Sequence, residues 1–226
     1  MVGQVMIPLY DTVRSHKFPI ITLALIAANI LVFFHESRLN TYAFPRFIYT
    51  WGLIPSLFMS NPFSVWPQVF TSMFLHGGWL HILSNMWILF VFGHNVEASM
   101  GGFRYLIFYL LAGTAAALLQ IYVQPESPSP LIGASGAIAG VLGAYLILFP
   151  RARIASLVFL ILIFTIVEIP AAVFLLLWMG LQVYSGLFNV SGGVAWWAHI
   201  GGFLFGAVMV SLFAVSRGKA IYRDWQ

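Results

Sequence analysis

Long stretches without a single charge constrain this chain more than any other feature. Between Arg46 and Glu97 there is no Asp, Glu, Lys or Arg. Tyr105–Pro125, Ser127–Pro150, Ile154–Val167 and Ile169–Ser216 are likewise uncharged. Only 7% of the 226 residues are charged and 61% are hydrophobic, against about 25% charged in ordinary soluble domains. Such a chain has too few polar side chains to cover a water-facing surface. That excludes a soluble globular protein, a disordered chain and a nucleic-acid binder. With no cysteine, it can form neither disulfides nor thiolate metal sites.

A bilayer crossing needs about 20 mainly apolar residues, and in lipid the backbone must satisfy its own hydrogen bonds. The apolar runs therefore predict an all-α membrane protein, one domain over residues 1–226, with six spans near 18–34, 80–96, 103–124, 134–149, 171–188 and 195–215. The first run lacks a small-residue cleavage site and is read as a span, not a signal peptide. Ile154–Val167 is short and close to Pro170, so it reads as a partly inserted lead-in to the fifth span. With both termini inside, Arg14, Lys17, Arg104, Arg151, Arg153, Arg217, Lys219 and Arg223 fall on the inner side. Only Arg38 and Arg46 fall outside, a positive-inside bias. The long first loop, His35 to Gly78, carries Trp51, Phe58, Phe63, Trp66, Phe70 and Phe74 among four prolines. Amphipathic rings settle at the membrane interface, so this loop is expected to lie there.

Polar residues inside a membrane are costly and usually face the bundle interior. In this topology the second, fourth and sixth spans run inward from the outer face. The second carries His81 and Asn85 in its first turns, the fourth Ser135 and the sixth His199, so all four groups should lie at similar depth. His81 and Asn85 are four apart and share one helix face. Gly136 and Gly140 in the fourth span, and Gly202 and Gly206 in the sixth, form small-residue pairs. Such pairs let helix backbones approach closely. Packed together, the two stripes would bring Ser135 within reach of His199.

A serine hydroxyl needs a base to take its proton, and a histidine can take that proton and return it to a leaving amine. None of the six acids, Asp11, Glu36, Glu97, Glu126, Glu168 and Asp224, falls in the outer halves of these spans. The expected catalytic unit is thus a Ser135–His199 dyad, its ring oriented by packing and not by a carboxylate. Asn85, His81 and the Ser135 backbone N–H at a helix start are candidate donors to an oxyanion. Metal chemistry fares worse. His35-Glu36 has no second histidine in zincin register, and His76 and His81 are five apart and poorly aligned on a helix. No metal or cofactor is expected.

In combination these motifs resemble the rhomboid family of intramembrane serine proteases. The resemblance rests on His81-Ile-Leu-Ser-Asn85, on Gly133-Ala134-Ser135-Gly136, on Ala198-His199-Ile200-Gly201-Gly202 with Gly206, and on Glu97 followed by Gly101. It implies a six-helix core, Ser135 as nucleophile, His199 as base, and Asn85, His81 and the Ser135 amide at the oxyanion. It also implies lateral substrate entry near the fifth helix. The implied partners are the lipid bilayer and transmembrane protein substrates with small residues at the cut. Two departures stand out: Val65-Trp66-Pro67-Gln68 lacks an arginine many members carry, and Ala139 replaces a tyrosine that stacks on the histidine in some. A catalytically inactive membrane-helix binder on the same scaffold is the alternative. A transporter or channel would string polar groups through the full membrane depth, which the apolar inner halves of these spans do not do. The six-span layout, and an N-terminus unlike a transit peptide, favour a prokaryotic plasma membrane, with the active site near the outer face.

Overall fold

The computed structural model describes residues 6–13, 17–160, 163–188 and 193–215. Each predicted span is a helix, displaced by at most a few residues. They are α1 (Ile20–Glu36), α6 (Trp79–Met100), α7 (Gly102–Val123), α8 (Ser135–Leu148), α9 (Ala171–Leu187) and α10 (Trp196–Phe213). Between α1 and α6 lie four short helices, α2 (Ala43–Trp51), α3 (Pro55–Ser60), α4 (Pro62–Val65) and α5 (Gln68–Thr71), and a 3-10 turn at Ser72–Phe74. α7 and α10 are each long and apolar enough to cross a bilayer. α6 passes the same test together with residues 68–74, from which it is bent by 95°. α1, α8 and α9 are apolar but shorter.

The expectation of an all-α protein fails at one end of the bundle. β1 (Met6–Asp11), β2 (Arg153–Leu160) and β3 (Ile163–Pro170) form a three-stranded antiparallel sheet in that order. The run read as a lead-in to the fifth span is a β-hairpin, pairing Arg153 with Pro170 through to Leu160 with Ile163. β-Branched residues dominate it: Ile154, Val158, Ile163, Thr165, Ile166, Val167 and Ile169. Such side chains lose χ1 freedom in a helix and pack well on a pleated surface. Pro170 ends the strand and is the N-cap of α9, a position whose N–H no intrahelical bond uses. The indole N–H of Trp87 on α6 donates to the Pro8 carbonyl at 2.6 Å. Asp11 accepts from the Asn95 amide and the Tyr145 hydroxyl. Burial raises the Asp11 carboxyl above its ordinary range, and these bonds offset only part of that.

Glu97 does structural work at the same end. Its carboxylate accepts the Ile21 and Thr22 backbone N–H groups at 2.9 and 2.8 Å and the Thr22 hydroxyl at 2.7 Å. It thus satisfies donors that the first turn of α1 cannot pair internally. Gly101, at φ 81°, makes the reversal from α6 into α7 that a side chain would strain. The Val215 N–H donates to the Ser99 carbonyl, so the end of α10 meets the end of α6. Lys17, Arg104, Arg151 and Arg153 gather at this end with the sheet, and Arg38 and Arg46 lie at the other. Arg14, Arg217, Lys219 and Arg223 fall outside the described residues.

Where α10 meets α8, backbone packs on backbone. A Cβ at Gly202 would overlap the Gly136 carbonyl oxygen, one at Gly206 the Gly140 carbonyl oxygen, and one at Gly143 that of Phe203. Gly136 and Gly140 turn their open side to α7, against Ala116 and Ala112. Gly201 faces Leu119 and Ala115 of the same helix. α10 is thereby held between α7 and α8, with backbone and alanine methyls at most of the seam, the close approach that small residues permit.

Candidate active site

The α8–α10 seam fixes the site. Ser135 is the first residue of α8 and His199 lies in the first turn of α10. Their side chains meet, with His199 Nε2 at 2.8 Å from Ser135 Oγ. The opening of α10 is held by Gln120 of α7, whose side-chain carbonyl accepts the Ala198 N–H at 3.2 Å. Gln120 is itself held by its amide donating to Gln124 at 2.7 Å. The predicted packing glycines Gly136, Gly140, Gly202 and Gly206 all lie in the seam.

The segment before α8 is stitched to the first loop. Leu53 and Leu131 exchange backbone hydrogen bonds, and the Gly133 N–H donates to the Ser72 carbonyl at 2.8 Å. Gly133 adopts φ 116°, a region closed to most side chains. A Cβ there would lie 2.6 Å from His81 Nε2 and 3.7 Å from Asn85 Nδ2. Only glycine lets the loop that delivers Ser135 pass this close to His81 of α6. His81 Nδ1 accepts the Gly77 N–H at 3.4 Å. In a neutral ring the proton then sits on Nε2, the nitrogen facing Gly133. Asn85 is buried, and one amide hydrogen donates to His76 Nε2 at 3.1 Å. His76 is fully buried, and its backbone N–H is tied to the Glu36 carboxylate at 3.1 Å. Within the first loop, Gln68 and Thr71 donate to the Thr50 and Trp51 carbonyls at 3.2 and 2.6 Å.

Two residues of α9 complete the surroundings of the imidazole, and neither was anticipated. His199 Nδ1 lies 2.7 Å from Gln182 Oε1, and the Trp178 ring lies 5.8 Å from the imidazole, tilted by 31°. The dyad was expected to rely on packing alone, yet a side-chain amide bonds the second ring nitrogen. The available signal was a lone Gln in the apolar fifth span, which a search confined to carboxylates passes over. Ala139 has no ring to stack on the imidazole, and Trp178 is an aromatic neighbour of it.

Ser135 is half-buried and borders a cavity of about 20 Å³, lined also by Ser72, Met73, Gly113 and Ala198. That is room for about one water. A larger cavity of about 230 Å³ lies at the other end of the bundle, by Lys17, His94 and Glu97, remote from the serine. His76 and His81 have ring centroids 5.0 Å apart. Among the described residues no three His, Cys, Asp or Glu side chains group as a metal ion would require.

The Rhomboid domain family model matches residues 63–216. The chain belongs to the rhomboid family. This rhomboid is 31% identical to the Rhomboid protease AarA of Providencia stuartii over 212 residues, covering 84% of the chain and 70% of that protein. It is 25% identical to Rhomboid protein 1, mitochondrial, of Saccharomyces cerevisiae, over 89% of the chain and 55% of the relative. It is 36% identical to the chloroplastic Rhomboid-like protein 11 of Arabidopsis thaliana, over 46% of the chain and 36% of that relative. The rhomboid thus spans about a third to a half of the length of these two organellar relatives. It is a membrane-embedded protein of its family. Relatives from mitochondria and chloroplasts beside a bacterial one give no support to the expected prokaryotic plasma membrane.

Proposed function

We propose that this rhomboid is an intramembrane serine endopeptidase acting on transmembrane segments of other proteins, with Ser135 as nucleophile and His199 as general base. The observation that carries the reading is the 2.8 Å approach of Ser135 Oγ to His199 Nε2, within the reach a base needs to take a hydroxyl proton. The oxygen attacks a peptide carbonyl as its proton passes to Nε2. The resulting oxyanion is met by the free hydrogen of the Asn85 amide, the His81 Nε2–H and the Ser135 backbone N–H. The imidazolium then protonates the departing amine. A water, deprotonated by the same ring, releases the acyl group. A fully bonded substrate helix hides its carbonyls, so small, helix-weakening residues near the cut favour attack.

The placement in the membrane belongs to the same proposal. All six long helices cross, both termini lie on the cytoplasmic side, and residues 1–226 act as one unit. The basic residues at the sheet end support this orientation. α8, with 14 residues, is roughly 21 Å long against a hydrocarbon core of about 30 Å. A helix that short sinks its first residue, Ser135, below the outer surface.

The test compares purified wild type, Ser135→Ala and His199→Ala in liposomes on a single-span reporter with small residues at its outer end. Cleavage by wild type alone, with unchanged melting of both variants, and fluorophosphonate labelling of Ser135 are expected. Activity should also vanish at a pH low enough to protonate His199. Variants that cut as wild type does would refute the dyad. Reporter binding without cleavage or labelling in wild type would favour the inactive helix binder.

A further inference from the structure

A neutral imidazole has two tautomers, and a Ser–His pair works with only one of them. If the proton sits on Nε2, that nitrogen faces Ser135 with a hydrogen and cannot accept the hydroxyl proton. If it sits on Nδ1, Nε2 presents its lone pair. The choice falls to whatever bonds the far nitrogen. In His199 the far nitrogen faces an oxygen that can only accept, Gln182 Oε1 at 2.7 Å. The amide is not free to turn its other end inward, because its Nε2 donates to the Trp178 carbonyl one turn earlier at 3.2 Å. Gln182 is 6% exposed and His199 9%, so little solvent competes for either.

We propose that Gln182 is the positioning residue of this dyad. Its side-chain carbonyl keeps the proton on Nδ1 of His199 and so leaves Nε2 open to the Ser135 hydroxyl. The proposal rests on the protease reading above and deepens it. The residue does what the buried carboxylate of a catalytic triad does, holding tautomer and ring angle. It does so without a charge, which inside a membrane would need its own partner. The amide dipole also directs its negative end at the ring when the imidazole takes the proton. Trp178, four residues before Gln182 and on the same face of α9, walls the ring at 5.8 Å. The catalytic unit is thereby shared among three helices: the nucleophile on α8, the base on α10 and the base's orientation on α9. The bland alternative is that Gln182 only glues α9 to α10, as buried amides do between membrane helices.

The experiment compares wild type, Gln182→Met and Gln182→Glu in liposomes on the single-span reporter, with ring-¹⁵N histidine spectra of each. Met matches the length and removes the acceptor. Glu keeps an acceptor oxygen in either protonation state. Losing the orienting carboxylate of a triad costs about 10⁴ in kcat. For a neutral partner a loss of about 10–100-fold is expected in Gln182→Met, with KM within about twofold and melting close to wild type. Gln182→Glu should recover at least about a third of wild-type kcat. The wild-type spectrum should show His199 protonated on Nδ1, with that preference lost in Gln182→Met. A Gln182→Met enzyme with wild-type kcat, or a wild-type ring protonated on Nε2, would overturn the proposal. So would equal losses in both variants that follow their melting temperatures. The tautomer is read without proteolysis. A wild type that neither cleaves nor labels at Ser135 would sink the protease reading, while the spectra still decide whether Gln182 sets the tautomer.

Discussion

Two of the helices that flank α10, α8 and α9, meet it in opposite ways. Against α8 it packs backbone on backbone, with Gly202 and Gly206 pressed on the carbonyls of Gly136 and Gly140. Against α9 it packs through side chains, with Trp178 and Gln182 on the imidazole and Gly186 leaving room for Trp197. The outer face of α9 is exposed and apolar at Leu176, Leu177, Tyr184 and Leu187. The first contact sets where the serine and histidine stand, and no side chain can adjust it. The second sets how the ring is turned, and it depends on individual atoms. Damage to the seam should therefore appear as lost folding, and damage on the α9 side as lost rate.

The largest effect should come from forcing a side chain into the seam. Gly202→Val would drive a branched side chain into the Gly136 carbonyl and should cost more than about 3 kcal/mol. Early melting and aggregation in detergent are expected. A variant that melts with wild type would show that the seam is looser than it looks. Next, Asn85→Ala should lower turnover by about 10²–10³ while stability falls far less. A stability loss that accounts for the whole drop would make Asn85 a brace for His76 instead. Trp178→Leu sharpens the comparison from the other side. Aromatic pairing is worth about 0.5–1.5 kcal/mol, so kcat should fall roughly two- to tenfold with the fold intact. A loss as large as that of Asn85→Ala would mean the ring depends on its wall more than on its hydrogen bond.

The smallest effect concerns the sheet end. Burial raises the Asp11 carboxyl above its ordinary range, so folding favours the protonated form. Its penalty is absent at pH below the ordinary carboxylate value and grows as pH rises through the interval up to the raised one. Wild type should therefore lose stability relative to Asp11→Asn as pH goes from acid to neutral. Melting curves of both at several pH values check this, and a constant difference would mean the shift is absent.

The helices were legible because length and hydropathy alone decide a membrane helix. The sheet was not, since a short uncharged run looks the same whether it enters a helix or a buried strand. Its β-branched residues were the better guide. Ser135, His199, Asn85 and His81 stood out because polar atoms are expensive in lipid, and their spacing suggested a common depth. Gln182 carries the same cost but has no charge and no motif around it. What it touches depends on the rotation of α9 about its own axis, which no local pattern encodes. The role of Gln120 was hidden for the same reason, since it acts on Ala198, distant in the chain.

The hollow beside Ser135 has one more implication. At about 20 Å³ it accommodates a solvent molecule and nothing the size of a polypeptide strand. On the protease reading proposed above, a substrate segment reaches the Ser135 hydroxyl only once the side chains around this hollow give way. That same proposal then puts discrimination at admission, before any chemistry, and spares a segment that cannot pry its way in however cleavable its sequence.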